Sequence, residues 1–385
     1  MSDKKVKYME IYEYFRDKIK KGEIKPDEKL PTEYEIVDMF SVSRHTVRQS
    51  ILELERNGLI YREKGRGAFC TDINKIEVIE NKIVLVITTY LSDYIFPYII
   101  RGIEETLSKE GYNILLLSTN NQKERETEQL EKLLNYDIAG AIIAPTASAL
   151  NNVNEEYYVR INKRNIPYEM INSKYNDLTK AFVTMDDELG GYLQTKHLID
   201  NGHTRIAGIF KEDDMQGINR KKGYLKALKE SNIDPDYTIL GAFKTFEEKF
   251  YPSAFIGNIL TLNNRPTAIV CYNDKIALDV IVEARKLGIK KPEELSIIGN
   301  DNAEFITAAL DFGLTSVNHP KEILGKQAAE MLIKLINKEE TNTEVVIKPE
   351  IVVRDSTYKK LFYFKCQRYL YLWCFFIKKS ENIYS

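Results

Sequence analysis

Along the first 70 residues, apolar positions recur at helical spacing and are cut by capping residues. Ile11, Tyr14, Phe15 and Ile19 fall on one face of a helix expected over 6–21, and Gly22 stops it. Pro31-Thr32-Glu33-Tyr34-Glu35 then offers Thr32 as an N-cap with Glu35 three residues on, a capping box that opens a short helix to Phe40. A second cap, Ser43, opens a helix over 44–57 with Val47, Ile51 and Leu54 turned inward, and Gly58 ends it. Residues 59–62 and 68–71 flank Glu63-Lys64-Gly65-Arg66-Gly67 as the arms of a tight hairpin.

From Lys82 the texture changes to short apolar runs alternating with amphipathic helices, the pattern of parallel βαβ units. The runs fall at 83–88, 113–118, 140–144, 167–172, 205–210, 267–271 and 295–299. Helices are expected at 97–110, 124–134, 189–201, 220–231, 275–287 and 324–337, with Asp274 as the cap of the fifth. Seven strands with no eighth regular unit suit two doubly wound lobes better than one barrel. The fold class is therefore α/β: a winged helix-turn-helix over 1–71 and a two-lobe, periplasmic-binding-protein-like body of parallel sheets over 82–358. A charged linker without periodicity, 72–81, joins them.

Residues 359–385 break this pattern, because nine of the 27 are aromatic, and they are expected to lie outside the fold. Their apolar run, 369–377, is too short to cross a bilayer. No stretch of 18 apolar residues occurs anywhere, so no membrane span or membrane partner is expected. The N-terminus is polar and rich in lysine with no apolar segment behind it, which points to the cytoplasm.

The formal net charge of −2 hides an asymmetry. Residues 1–75 carry +2, residues 359–385 carry +5, and the stretch between carries −9. A basic end on an acidic body suggests one segment that meets a polyanion and another that does not. Cys70, Cys271, Cys366 and Cys374 form no C-x-x-C pair and have no histidine at metal-ligand spacing, so they read as reduced thiols. His45, His197, His203 and His319 make no metal pattern either. There is no dinucleotide fingerprint, phosphate-binding loop or nucleophile elbow, so neither an enzyme nor a cofactor is expected.

Two capped helices, an inward Val/Ile/Leu ladder and a basic glycine hairpin together point to double-stranded DNA. The second helix opens Ser43-Arg44-His45-Thr46, and its N-terminal end is the part that enters a major groove. Arg44 and Arg48, four apart, share a face on which a guanidinium fork binds guanine or phosphate. Ser43 and Thr46 suit phosphate oxygens at a helix N-terminus. Thr32 and Glu33 sit where backbone or cytosine contacts are usual, and Lys64, Gly65 and Arg66 would reach the minor groove.

In the body, ligands of open α/β sheets bind beyond the carboxyl ends of the strands. The residues just past those strands are polar and aromatic: Tyr90, Asp93, Tyr94 and Phe96, then Asn120, Thr146, Asn172, Arg220, Asn273 and Asp301. Carboxylates and an arginine accept and donate to hydroxyl pairs while an aromatic face stacks on a sugar ring, so a polar, monosaccharide-sized effector is expected.

Residues 7–70 resemble the GntR-type winged helix through Leu30-Pro31-Thr32-Glu33, Ser43-Arg44-His45-Thr46-Val47-Arg48 and Gly65-Arg66-Gly67-Ala68-Phe69. Residues 82–357 resemble the LacI/GalR sensor domain through Asn201-Gly202-His203, Arg220-x-x-Gly223-Tyr224, Asn273-Asp274-x-x-Ala277, Gly299-x-Asp301 and Leu314-Thr315-Ser316-Val317. That resemblance implies effector roles for Arg220, Asn273 and Asp301, a stacking role for Phe96 and a place in the cleft for His319. The chain departs from it at Asn300, where the sensor family usually has tyrosine. The pairing of head and body, with the segments 88–97, 118–121 and 208–214, resembles the bacterial arabinose-responsive repressors. It implies a homodimer on palindromic operators, released by L-arabinose; another pentose or a nucleoside is the alternative effector. A periplasmic transport receptor would share the body but not the head.

Overall fold

The computed structural model describes residues 3–63, 65–72, 82–92, 95–175, 178, 181–289 and 293–359. Lys64, Asp93, Tyr94, most of the expected linker and the aromatic tail beyond Lys359 lie outside the described residues. The chain forms two compact units, one ending at Lys82 and the other beginning at Ile83.

In the first unit, helix α1 spans Asp3–Lys20, α2 Glu33–Phe40 and α3 Arg44–Arg56, followed by strands β1, Ile60–Glu63, and β2, Gly67–Cys70. The two strands pair antiparallel, Ile60 opposite Cys70. Both expected caps form: the Thr32 and Ser43 side chains accept from the backbone N–H of Glu35 and Thr46. Ile11, Phe15 and Ile19 of α1 meet Ile36 of α2 and Val47, Ile51 and Leu54 of α3 in one small core closed by Leu30, Ile60 and Cys70.

The body opens with β3, Ile83–Thr88, then α4, Phe96–Lys109; β4, Asn113–Ser118; α5, Lys123–Asn135; β5, Gly140–Ile143; α6, Glu155–Lys163; β6, Tyr168–Ile171; and β7, Phe182–Met185. The chain then enters a second lobe: α7, Asp187–Asp200; β8, Ile206–Lys211; α8, Met215–Glu230; β9, Leu240–Phe243; α9, Tyr251–Leu260; β10, Ala268–Cys271; α10, Asp274–Lys286; β11, Ser296–Asp301; α11, Glu304–Ala309; and β12, Thr315–Asn318. It returns to the first lobe through α12, Lys321–Asn337, and β13, Glu344–Ile347, and ends in the second with β14, Glu350–Val352. The first sheet runs β13-β7-β6-β5-β3-β4, parallel throughout. The second runs β14-β12-β11-β10-β8-β9, parallel except for β14. Three passages between lobes thus link the sheets, after β7, after β12 and after β13.

All seven expected strands form, and five more appear: β7, β9, β12, β13 and β14. These have three or four residues each and include three of the four outer strands, β9, β13 and β14. The expected cap at Asp274 is corrected. Asn273 caps α10 by accepting from the Ile276 N–H at 2.9 Å, while the Asp274 carboxylate turns inward to Ala303 N–H and Ser316 Oγ. Where α7 crosses α8, a Cβ on Gly191 would come within 2.0 Å of the Arg220 carbonyl oxygen. That close approach sets the backbone of Arg220 at the inner edge of the cleft.

Candidate DNA interface and effector cavity

On the head, the first turn of α3 is set by its cap and by Glu33 from α2. The Glu33 carboxylate accepts from Arg48 Nε at 2.9 Å and lies 3.8 Å from Arg44 Nη2. Arg44 also stacks on the Tyr34 ring, 4.2 Å from its centroid. Arg44 and Arg48 keep 49% and 62% of their side-chain surface exposed, so both guanidinium groups are presented on one face. His45 and Ser43 are exposed beside them. Exposed ion pairs of this kind contribute about 0–1 kcal/mol, which a phosphate or a guanine readily exceeds. Glu33 therefore orients the arginines, and Thr32 is occupied by its capping box with Glu35. Thr46 corrects the expectation of an outward first turn: it is 6% exposed, and its hydroxyl lies 2.8 Å from that of Ser43. At the hairpin, Gly65 and Gly67 take φ of 81° and 120°, a left-handed geometry suited to glycine. They leave Arg66 exposed, paired with Glu63.

In the body, a cavity partly open to solvent lies between the lobes. From the first lobe it is lined by Thr89, Tyr90, Ile95, Phe96, Asn121, Ala144, Pro145, Ile171, Asn172 and Ser173. From the second come Lys211, Asp214, Gln216, Arg220, Glu248, Tyr272, Asn273 and Asp301. Hydrogen bonds tie the lobes beside it: Asn121 Nδ2 donates to Thr245 Oγ1 at 2.7 Å, and Met215 N–H to Ser148 Oγ at 2.9 Å.

Arg220 is the best-anchored group in the wall. Its Nε donates to Asp187 at 2.9 Å, its Nη1 to the Tyr272 carbonyl at 2.8 Å, and its Nη2 stands 3.8 Å from Asp301. Burial works against the charge, but Asp187 and Asp301 outweigh it and hold the guanidinium pKa above its ordinary value. Lys211 is likewise buried; Asp214 at 3.6 Å, the Tyr90 hydroxyl and Asp213 overcome the burial and keep its pKa raised. Asn300 resolves the departure from tyrosine at that position: it is buried and donates its amide to Asp301 Oδ1 at 2.7 Å. Asn172, in a left-handed turn with φ of 64°, has a buried Oδ1 with no hydrogen-bond partner among the described residues. An unmet acceptor facing a cavity is a place for a ligand hydroxyl. The lining carries Lys211 and Arg220 against Asp214, Glu248 and Asp301, close to balance, which suits a neutral, hydroxyl-rich ligand.

Residues 7–70 match the model for bacterial regulatory proteins of the gntR family, and residues 195–357 match a periplasmic binding protein-like domain. The chain is 43% identical over 355 residues to an arabinose metabolism transcriptional repressor of Geobacillus stearothermophilus, covering 91% of this chain and 97% of that one. The chain belongs to that repressor family. Among solved structures it is similar to the transcription regulator CcpA of Lactococcus lactis, with 28% identity, a TM-score of 0.64, and coverage of 72% of this chain and 99% of that one. It is also similar to a LacI family regulator from Enterococcus faecium with bound ribose, at 25% identity and a TM-score of 0.62, covering 73% of this chain and all of that one. The chain is thus a sequence-specific DNA-binding transcriptional repressor of arabinose-utilisation genes, built from a winged-helix head and a two-sheet sensor.

For this repressor, the cavity gathers Tyr90, Phe96, Asn172, Arg220, Asn273 and Asp301 from the expected set. Three expected residues do not line it. Asn120 sits in a left-handed pair with Asn121 and bonds back to Ser118, so its neighbour Asn121 reaches the cavity instead. Thr146 is fully buried, donating to Thr119 Oγ1 at 2.9 Å. His319 is buried behind the wall, and its Nδ1 has no partner among the described residues. Sequence reading missed Lys211, Asp214, Gln216, Glu248 and Tyr272. Lys211 is the last residue of β8 and Asp214 caps α8, one and four residues past the expected strand end at 210, so the strand-end rule carried that far would have found both.

His319 gives a pH prediction. Burial pushes its pKa down to about 4; Asp301 opposes the fall, and Lys321 and Arg220 add to it. The unfolded chain takes up this proton near pH 6.5, so its contribution to stability is complete above that pH and is lost as pH falls towards 4, about 3 kcal/mol in all. His319→Gln is expected to flatten the fall in Tm between pH 6.5 and 4.5. Parallel melting curves for parent and variant across that range would refute it.

Proposed function

We propose that L-arabinose is the effector and that it binds between the lobes. Asn172, Arg220, Asn273 and Asp301 bond its hydroxyls, and Phe96 packs on its C–H face. The observation that carries this is the buried Asn172 Oδ1, without a partner among the described residues, opposite a fixed Arg220 in a cavity of nearly balanced charge. Asn273 uses its Oδ1 on the helix, which leaves its NH2 for a ligand oxygen. The relative from Geobacillus stearothermophilus, a repressor of arabinose metabolism, supports the choice of sugar.

The working protein is a homodimer that sets two α3 helices into successive major grooves, with Arg44, His45 and Arg48 reading bases or phosphate, Ser43 on the backbone, and Lys64, Gly65 and Arg66 at the minor groove. Sugar binding favours the closed lobes and releases the operator; such coupling is typically about 5- to 150-fold. The bound ribose of the Enterococcus faecium regulator favours, as a second reading, another pentose in the same cavity.

The test is titration of a labelled fragment from the protein's own gene neighbourhood with L-arabinose, other pentoses and nucleosides. Release by L-arabinose alone is expected. Release by a different pentose would replace the effector, and indifference to all of them would discard the sensor reading. Arg44→Ala is expected to weaken binding of that fragment roughly 10- to 100-fold, the weight of one bidentate contact. Its affinity for L-arabinose should not change; a shift in both together would show that Arg44 acts through the fold.

A further inference from the structure

The carboxylate of Asp301 faces the cavity, and its backbone is held both in the ladder of its own sheet and from the first residue of α12. Asp301 ends β11 in the second sheet, and it and Asn302 take φ of 104° and 49°, a left-handed pair without glycine. Such geometry persists only where the surroundings hold it. Asn302 is fixed by its N–H to Ser316 Oγ at 2.9 Å and by Arg354 Nη2 on its Oδ1 at 2.6 Å. Asn302 Nδ2 also donates to Asn318 Oδ1 at 3.1 Å, and Asp301 pairs with Asn318 in the ladder. A further hold comes from Lys321, the first residue of α12, a helix that packs on α4 and on strands β5, β6 and β7 of the first lobe. The Lys321 ammonium donates to the Asp301 carbonyl, with the Asn302 and His319 carbonyls at 3.4 and 3.3 Å. It also lies 5.9 Å from the centre of the Tyr98 ring at the start of α4.

We infer that Lys321 is a positioning residue for the effector: its ammonium straps the left-handed turn carrying Asp301 in one lobe to the head of α12 in the other. A point charge with three donors suits this task, since it serves three carbonyls at the ends of the adjacent strands β11 and β12. Without it the turn relaxes, Asp301 leaves its bonding position, and the closed arrangement loses one of its ties. The assignment rests on the sugar reading of the cavity.

The experiment measures L-arabinose affinity by calorimetry, and operator affinity without sugar, for the full-length parent, Lys321→Met and Lys321→Arg. Lys321→Met is expected to weaken L-arabinose binding about 10- to 100-fold, as loss of charge-assisted hydrogen bonds should. Operator affinity of the sugar-free protein should stay within about threefold, and Lys321→Arg, which still donates to carbonyls, should recover most of the loss. A merely structural role would lower Tm and weaken both ligands together, and that result overturns the assignment. So does an unchanged L-arabinose affinity in Lys321→Met. Failure of the parent itself to bind L-arabinose overturns the sugar reading and this assignment with it. Should Lys321→Met not fold, Lys321→Gln, which keeps an uncharged donor, is read in the same way.

Discussion

Arg220→Met should leave a protein that holds its operator and no longer hears the sugar. The L-arabinose concentration for half-release is expected to rise at least about 100-fold, because the variant loses every donor that Arg220 offers the cavity and frees Asp301 from its neighbour. The same change strands Asp187, which is 5% exposed and depends on Arg220 Nε. Breaking a buried pair from one side costs about 3–5 kcal/mol, so Tm should fall by roughly 10 °C. Arg220→Met combined with Asp187→Leu should regain much of that stability without regaining the response, which separates binding from folding. Half-release at the parent's sugar concentration in the double variant would show that Arg220 does not bind the effector.

The second large effect is a gain. Glu169 on β6 is fully buried, and neither carboxyl oxygen has a hydrogen-bond partner among the described residues. It stands opposite Ile142 in the register, on the sheet face that packs against α4 and α12. Burial pushes its pKa well above the usual carboxylate range. The folded state therefore holds the proton more tightly than the unfolded chain does. Its stability is greatest below the ordinary carboxylate pKa and declines as pH rises towards the folded value. Glu169→Met, similar in volume and without polar atoms, should stabilise the protein by about 1–3 kcal/mol at pH 8 and by less at pH 5. Melting curves at the two pH values would check it; an equal or lower Tm for the variant at pH 8 would overturn the account.

These residues mark where sequence reading stops. The head was legible almost to the residue, because caps, helical ladder and hairpin glycines are local signals: Thr32 and Ser43 do what their spacing demands. The parallel strands β3 and β4 were legible for the same reason, as uninterrupted apolar runs. Charged groups in the body were not. Glu126 and Glu169 are both fully buried, one bonded to Asn154, Tyr158 and Tyr175 and the other to nothing described, yet in the sequence each reads like any surface glutamate. Lys321 owes its role to a carbonyl 20 residues away, and Lys211 to Tyr90 of the other lobe as well as to the nearby Asp214. Within the cavity, the strand-end rule found the right loops but could not tell Asn120 from Asn121, because two successive left-handed residues decide which side chain turns inward.

The three passages of the chain between the lobes bear on how the protein is born. The head's core closes within the first 70 residues, so it can form while the rest is still being made. The first lobe must wait for α12 and β13, and the second for β14, so the two sheets are complete only once Ile347 and Val352 have emerged. Synthesis halted anywhere in between would leave a finished reading head on an unfinished receiver.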